Sequence, residues 1–216
     1  MKLKFLCMMI ILALSQAAVI ATATAAETEI EIGFSPPTTP VAPVNPDNPF
    51  LESGSPGTGQ PGPLSLDWVP VLGFGTANEI SAQVQEYNTT SAKPYIQVSD
   101  LRGTAEGWKV TAALEPFKQN MNETLRGAFI TFLEPSTTTA ATSVDSPVPA
   151  PAVMLTSDGE DVSIVTANAE NREGMGTWVI RWFSGDTGHV KLTVPRSAAT
   201  VGLHSSSITW TLHNAP

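Results

Sequence analysis

The sequence predicts an all-β protein: a β-sandwich or a partly closed barrel of short antiparallel strands, preceded by a proline-rich linker. Three observations support this fold class. Short runs in which apolar and polar residues alternate recur along the chain, turn-forming residues separate them, and no long stretch keeps the period of an amphipathic helix. Short strands at this spacing are characteristic of sandwiches and barrels.

Residues 1–26 have the pattern of a secretory signal peptide. Lys2 and Lys4 precede an apolar stretch over residues 5–20, and small residues follow it. This stretch is too short and wrongly flanked for a permanent membrane helix. We therefore expect a secreted protein with no membrane insertion after signal cleavage. The only cysteine, Cys7, would leave with the signal, so we expect no disulfide.

Residues 27–63 are expected to form a short strand followed by a proline- and glycine-rich spacer. The strand is predicted at 29–34, where apolar residues alternate with acidic or small ones, and it would need a partner sheet. Nine of the eighteen prolines lie between 35 and 63, and part of them recur at every third residue, the period of a semi-rigid polyproline II rod. A ligand for a proline-recognition module and a disordered tail are the alternatives.

Residues 64–216 have the length of one domain with a single core. The alternation predicts a strand near each of these ranges: 64–69, 80–87, 94–99, 107–114, 125–133, 162–167, 177–183, 189–194 and 206–213. Between two of them, residues 134–152 are rich in Thr, Ala, Ser and Pro, which predicts a long surface loop.

Composition argues against several classes of function. The formal net charge of −9 makes nucleic acid a poor partner. The three histidines are scattered without metal-ligand spacing and no cysteine can join them, so we expect neither a metal site nor a cofactor. The carboxyl end shows no sorting motif and no apolar anchor, so any attachment to a surface would be noncovalent.

A glycan hydrolase, in which a pair of carboxylates flanks the glycosidic bond, is the catalytic alternative. Asp100 or Glu106 would then have to be essential, and Asp100 beside Arg102 is the most suggestive feature. The alternative is structural, because residues 99–103 have the composition of a turn that an ion pair between Asp100 and Arg102 would close. The glycines of residues 174–177 favour a bulge or tight turn over a phosphate loop, since no lysine or helix follows. We expect no catalytic residues and no enzyme activity.

Two tryptophan motifs stand out within an ordered set of sequence features. The first motif is Trp108-Lys109-Val110 and the second is Trp210-Thr211-Leu212; the features that accompany them are Leu64-Ser65-Leu66-Asp67-Trp68-Val69-Pro70, Phe74-Gly75, Tyr95 to Gly103, Gly174-Met175-Gly176-Thr177-Trp178 and Val194-Pro195. In this order and spacing the set resembles the WxL-domain surface proteins of Gram-positive bacteria, over residues 64–216. One departure is the valine of the first motif, where the family name has leucine.

The resemblance implies a function. It implies noncovalent attachment to peptidoglycan, a location at the cell wall or cell surface, and Trp108, Val110, Trp210 and Leu212 as the binding residues. A protein-interaction module that assembles into a multi-protein surface complex is the alternative, with membrane-anchored surface proteins encoded nearby as partners. From the residues alone the tryptophans fit either a core or an exposed platform, because each shares its strand parity with other apolar residues.

Overall fold

The computed structural model describes residues 26–141 and 144–214. The predicted signal peptide lies outside these residues except for Ala26. Residues 35–216 form one compact unit, and the segment up to Phe34 belongs to a separate one. In the described residues no helix has the length and hydropathy needed to cross a membrane.

The described residues form β-strands and no helix. In chain order the strands are β1 (Val44–Asn45), β2 (Asn48–Glu52), β3 (Leu64–Trp68), β4 (Gln85–Asn88), β5 (Tyr95–Asp100), β6 (Trp108–Leu114), β7 (Lys118–Gln119), β8 (Asn122–Glu123), β9 (Phe129–Leu133), β10 (Ser136–Thr139), β11 (Val148–Pro149), β12 (Ala152–Thr156), β13 (Val162–Ala167), β14 (Gly176–Arg181), β15 (Phe183–Ser184), β16 (Thr187–Gly188), β17 (Val190–Val194) and β18 (Ile208–Asn214).

Three four-stranded antiparallel sheets make up the body of the fold. The first sheet has the order β10-β14-β5-β3, the second β11-β13-β6-β18, and the third β12-β9-β17-β4. The pairs β1-β2, β7-β8 and β15-β16 form separate two-stranded sheets. Since no sheet of the described residues closes on itself, the all-β class is confirmed without a closed barrel.

The three sheets share one hydrophobic core. Its largest fully buried side chains include Trp108, Trp182 and Phe132, which come from the second sheet, from the end of β14 and from the third sheet. Strands β5 and β6 lie in the interior of their sheets, and every residue of β5 is buried. These central strands carry the continuous or alternating apolar residues from which the sequence predicted them.

Each of the nine predicted strand ranges contains or overlaps a strand of the structure. The long loop predicted for residues 134–152 is wrong, because β10 and β11 lie within this range and β12 begins at Ala152. Thr137, Thr138 and Thr139 pair with Ile180, Val179 and Trp178 of β14. The β-branched threonine side chain favours a strand, although a run of Thr and Ser resembles a loop by composition.

In the segment ahead of β3, the predicted strand is not formed and part of the predicted spacer packs on the first sheet. Residues 26–37 form no strand, so the strand predicted at 29–34 is absent. Farther on, the backbone N–H of Val44 donates to Gln97 Oε1 at 2.7 Å, and that of Thr58 donates to the carbonyl of Asp67 at 2.8 Å. Pro43 is buried. Residues 42–58 therefore pack on the first sheet, and the compact unit begins at Ser35 rather than at Leu64.

Candidate functional site

The structure places the two tryptophan motifs on neighbouring strands of the second sheet. Strands β6 and β18 are antiparallel, and Val110 lies directly opposite Leu212. Trp210 lies opposite Ala112, and Trp108 lies opposite Asn214. Because residues paired in this way point to the same face of a sheet, all four predicted binding residues belong to one apolar face.

The first motif is part of the core. Trp108 and Val110 are both 0% exposed, and the indole N–H of Trp108 donates to the carbonyl of Gly174 at 3.0 Å. Such a partner offsets the cost of burying the indole N–H. Neither side chain can touch a ligand in this structure, so they support the strand that carries the second motif.

Gly174 provides a close backbone seat for Trp108. A Cβ atom at this position would lie 2.6 Å from Trp108 Nε1 and 2.5 Å from the Cβ of Ala167. The glycine also has a φ of +76°, which side chains with a Cβ rarely adopt. The glycine-containing segment 174–177 was predicted to be a turn or bulge, and its contact with the first tryptophan motif was not.

The second motif lies at the margin of the core. Trp210 and Leu212 are partly buried. The Trp210 ring meets Phe132 edge-on, with 5.8 Å between ring centroids and an angle of 85°, and its centroid lies 6.2 Å from that of Trp182. Packing of this kind fixes the indole plane while leaving part of the ring accessible.

Trp210 also forms part of the wall of a groove with a volume of about 770 Å³. Its lining includes the segment 69–76 with Asn78, Glu79 and Ile80, and the segment 202–206 with β18 residues Ile208 and Trp210. We call this cavity the groove. Its size falls in the range of about 300–1,000 Å³ typical of ligand sites. Of the four predicted binding residues, Trp210 alone is among its lining residues.

The chemistry of the groove is mixed. Aromatic side chains lie along it, including Trp210, Tyr87 and Phe74, with Leu114 and Leu192 beside them. Hydroxyl, amide and imidazole groups also line it, as at Asn78, Thr90, Thr200, His204 and Ser206. Aromatic faces with polar groups around them can bind a ligand that has both apolar and hydroxyl-bearing surfaces.

The Asp100–Arg102 pair forms a structural clamp. Arg102 Nε and Nη2 donate to the two carboxylate oxygens of Asp100 at 2.8 and 2.7 Å, and Nη2 also donates to the carbonyl of Gly107 at 2.8 Å. The same guanidinium reaches Glu106 at 3.2 Å and the side-chain oxygen of Asn214 in β18. Hydrogen bonding to Asp100 raises the pKa of Arg102. These contacts support the structural interpretation of the pair, since both Asp100 oxygens are engaged.

A second buried carboxylate, Asp67, forms no ion pair with any described residue. Its side chain is 2% exposed and accepts hydrogen bonds from Ser65 Oγ at 2.6 Å, Ser99 Oγ at 2.6 Å and Gln97 Nε2 at 2.9 Å. Burial raises the pKa of Asp67 in spite of these bonds. The alternation of β3 gave no sign of this polar cluster, because a buried Asp breaks the apolar pattern rather than extending it.

The histidines lie apart from one another. His204 is bonded to Thr124 Oγ1 at 2.9 Å, His213 to Thr111 Oγ1 at 3.0 Å, and His189 lies 3.2 Å from a Glu134 carboxylate oxygen. Among residues 26–141 and 144–214, no group of three or more histidine, cysteine or acidic side chains is arranged to hold a metal ion.

Comparison with known proteins identifies one protein family. Residues 21–216 match the family described as WxL domain surface cell wall-binding. No curated protein and no solved structure matches the chain. The matched range includes both tryptophan motifs, the Gly174 seat and every strand that lines the groove.

Proposed function

The chain belongs to the WxL domain surface cell wall-binding family, and from that premise we propose that it is a secreted protein held noncovalently at the cell wall by binding peptidoglycan. The family membership establishes a surface protein that binds the cell wall. The residues of the chain support peptidoglycan as the ligand and one groove as its binding site.

One observation carries the proposal: Trp210 of the second tryptophan motif is among the residues that line the groove. Peptidoglycan contains sugar rings, which have apolar C–H faces and hydroxyl-bearing edges. The partly accessible Trp210 ring can stack on such a face, and the polar groups of Asn78, Thr200 and His204 can bond the edges. The groove is therefore the proposed peptidoglycan site.

The remaining motif residues have supporting roles in this proposal. Trp108 and Val110 hold β6 in the core, and β6 in turn positions β18 through seven paired residues. Leu212 packs on the core next to the groove. We propose Trp210 as the contact residue and the other three as positioning residues. Catalysis has no part in this function.

Sedimentation with purified cell-wall sacculi tests the proposal. The chain starting at residue 27 is incubated with sacculi stripped of protein and teichoic acid, and bound protein is measured after centrifugation. Ile80 lines the groove and is 52% exposed, and Met154 lies on β12, outside the groove lining, with the same exposed fraction. Ile80→Glu and Met154→Glu therefore add the same charge at equally exposed positions.

We expect the wild-type chain and Met154→Glu to sediment equally. Ile80→Glu should bind at least about fivefold more weakly, which corresponds to about 1 kcal/mol, because it places a charge in the groove. Circular dichroism confirms that each variant is folded. A folded wild-type chain that stays in solution would disprove peptidoglycan binding, and equal binding by both variants would move the site away from the groove.

A second candidate function is assembly with other surface proteins. It is favoured by the position of β18, which is an end strand of the second sheet. End strands can accept a further strand from a partner. If the chain sediments with sacculi only after a membrane-anchored surface protein is added, this function replaces direct wall binding.

A further inference from the structure

Strand β18 has an open edge, and its pairing with β6 determines which of its backbone groups point outward. The N–H of Glu115 donates to the carbonyl of Ser207 at 2.9 Å, one residue ahead of β18. In an antiparallel pair the bonded residues alternate, so Thr209, Thr211 and His213 bond to β6. The N–H and C=O groups of Ile208, Trp210 and Leu212 consequently point away from β6. Among the described residues no backbone group bonds to that outer side.

A second segment of the same chain has the sequence of a strand but forms no strand in the part of the chain that the structure describes. Residues 29–34 alternate Glu, Ile, Glu, Ile, Gly, Phe, and none is proline, so each has a backbone N–H to donate. Ile30, Ile32 and Phe34 are 87%, 78% and 90% exposed. If this segment forms a strand, its three large apolar side chains lie on one face, and covering them with another surface lowers the free energy.

We propose that residues 29–34 of one copy add as an antiparallel strand to the open edge of β18 in a second copy. The outward groups of β18 fix the register, with Ile30 opposite Leu212, Ile32 opposite Trp210 and Phe34 opposite Ile208. These pairs exchange backbone hydrogen bonds and also lie on one face. A shift by one residue would turn the apolar side chains to the polar face, so this register is specified.

Charge complementarity supports the same register. On the opposite face, Glu29 lies across from His213 and Glu31 across from Thr211. Lys109 of β6 is paired with His213 and has no ion pair in the described part of the chain. The acidic side chains of the donor strand would thus approach the basic end of this face. Asp161, the acidic group bonded to Thr111 at 3.3 Å, precedes β13 on the side of β6 away from the added strand.

The occupant is a second copy because each chain offers one donor segment that forms no strand in the described residues and one open edge at β18, so each copy can supply the strand that another accepts. Donor and acceptor are different surfaces, so the contact is head-to-tail and its repetition generates a chain of copies. The added strand would extend the apolar face that Ile208 and Trp210 present to the groove.

Disulfide trapping tests the register directly. The chain from residue 27 contains no cysteine. One sample carries Gly33→Cys and a second carries Thr209→Cys, and the two are mixed under mild oxidation. Gly33 has open space around its Cβ position, and Thr209 is exposed. In the proposed register they are a non-hydrogen-bonded pair with a Cα separation of about 4.5 Å, which a disulfide can span.

We expect a disulfide-linked dimer of the two variants that is lost when Ile32→Asp is added to the donor chain. Met121→Asp is the matched control, since Met121 is 88% exposed on the turn between β7 and β8 and should leave the dimer unchanged. Gly33→Cys mixed with Thr211→Cys should give severalfold less dimer, because the pair is two residues out of register.

Three results would overturn the proposal. A dimer formed by Thr209→Cys alone would indicate pairing of two β18 edges. An internal disulfide in a chain that carries both Gly33→Cys and Thr209→Cys, without any dimer in the mixture of the single variants, would mean that the segment adds to its own β18. The absence of every disulfide would leave no strand addition. None of these results depends on wall binding, so the two proposals fail separately.

Discussion

Substituting Gly174 by alanine should reveal how tightly the first tryptophan motif is seated. The added Cβ would lie 2.6 Å from Trp108 Nε1, 2.9 Å from its Cε2 and 2.5 Å from the Cβ of Ala167. Trp108 and Ala167 are both 0% exposed, so neither can move into solvent. The indole would have to shift, and its 3.0 Å hydrogen bond to the Gly174 carbonyl would be distorted.

Two terms contribute to the loss of stability. A left-handed backbone costs a residue with a Cβ about 1–2 kcal/mol, and Gly174 has a φ of +76°. Overpacking in a filled core costs about 1–3 kcal/mol. Gly174→Ala should therefore lower the free energy of unfolding by about 2–5 kcal/mol.

Gly103 provides the matched control because it has the same φ of +76° and nothing within 4 Å of its Cβ position. Gly103→Ala should cost only the backbone term of about 1–2 kcal/mol. Urea unfolding of both variants measures the difference, provided that the slope with denaturant is unchanged. If both variants lose the same stability, Gly174 does not seat Trp108 and this reasoning is wrong.

Two further substitutions test buried carboxylates. Arg102→Ala should destabilise the fold by about 3–5 kcal/mol because it leaves the Asp100 carboxylate buried without its partner. Chemical denaturation measures this loss, and the backbone amide of Asn214 should exchange its hydrogen faster. A loss below 1 kcal/mol would contradict the clamp. Since burial raises the pKa of Asp67 above its ordinary value, the native state binds this proton more tightly than the unfolded state. The stability from this group is therefore present below about pH 4 and is lost as pH rises through the native pKa. Asp67→Asn should remove this loss of stability at higher pH. The free energy of unfolding of both proteins is measured between pH 3 and 8, and the same pH dependence in both would contradict this role of Asp67.

The central strands were predictable because burial on one or both faces requires apolar residues that alternate or follow one another along the strand. In β18, Ile208, Trp210 and Leu212 alternate with polar residues, and β6 shows the same parity from Trp108 onward. Residues 134–152 show no such apolar pattern, since β10 lies at the end of its sheet and consists of Ser and Thr. The opposite case is segment 29–34, which has the alternation but forms no strand in the structure.

The candidate site was predictable only in part. The resemblance selected the two tryptophan motifs, and the structure brings them together on adjacent strands. It could not separate the buried Trp108 from the accessible Trp210, because both show the same alternation. Residues 69–76, which also line the groove, come from a segment without strand alternation. The carbonyls of Val71 and Gly73 accept hydrogen bonds from residues 89–91. Because these partners are distant in the sequence, no local alternation indicates where the segment lies.

The clamp at Arg102 joins residues that are far apart along the chain and so bears on the order of folding. Arg102 and Asn214 are 112 positions apart, and β6 acquires β18 as its second neighbour only when residues 208–214 are present. Contacts between such distant residues form slowly. As the chain is made from its amino end, one edge of β6 therefore stays open until residues 208–214 are present, and completion of the second sheet is a late event in folding.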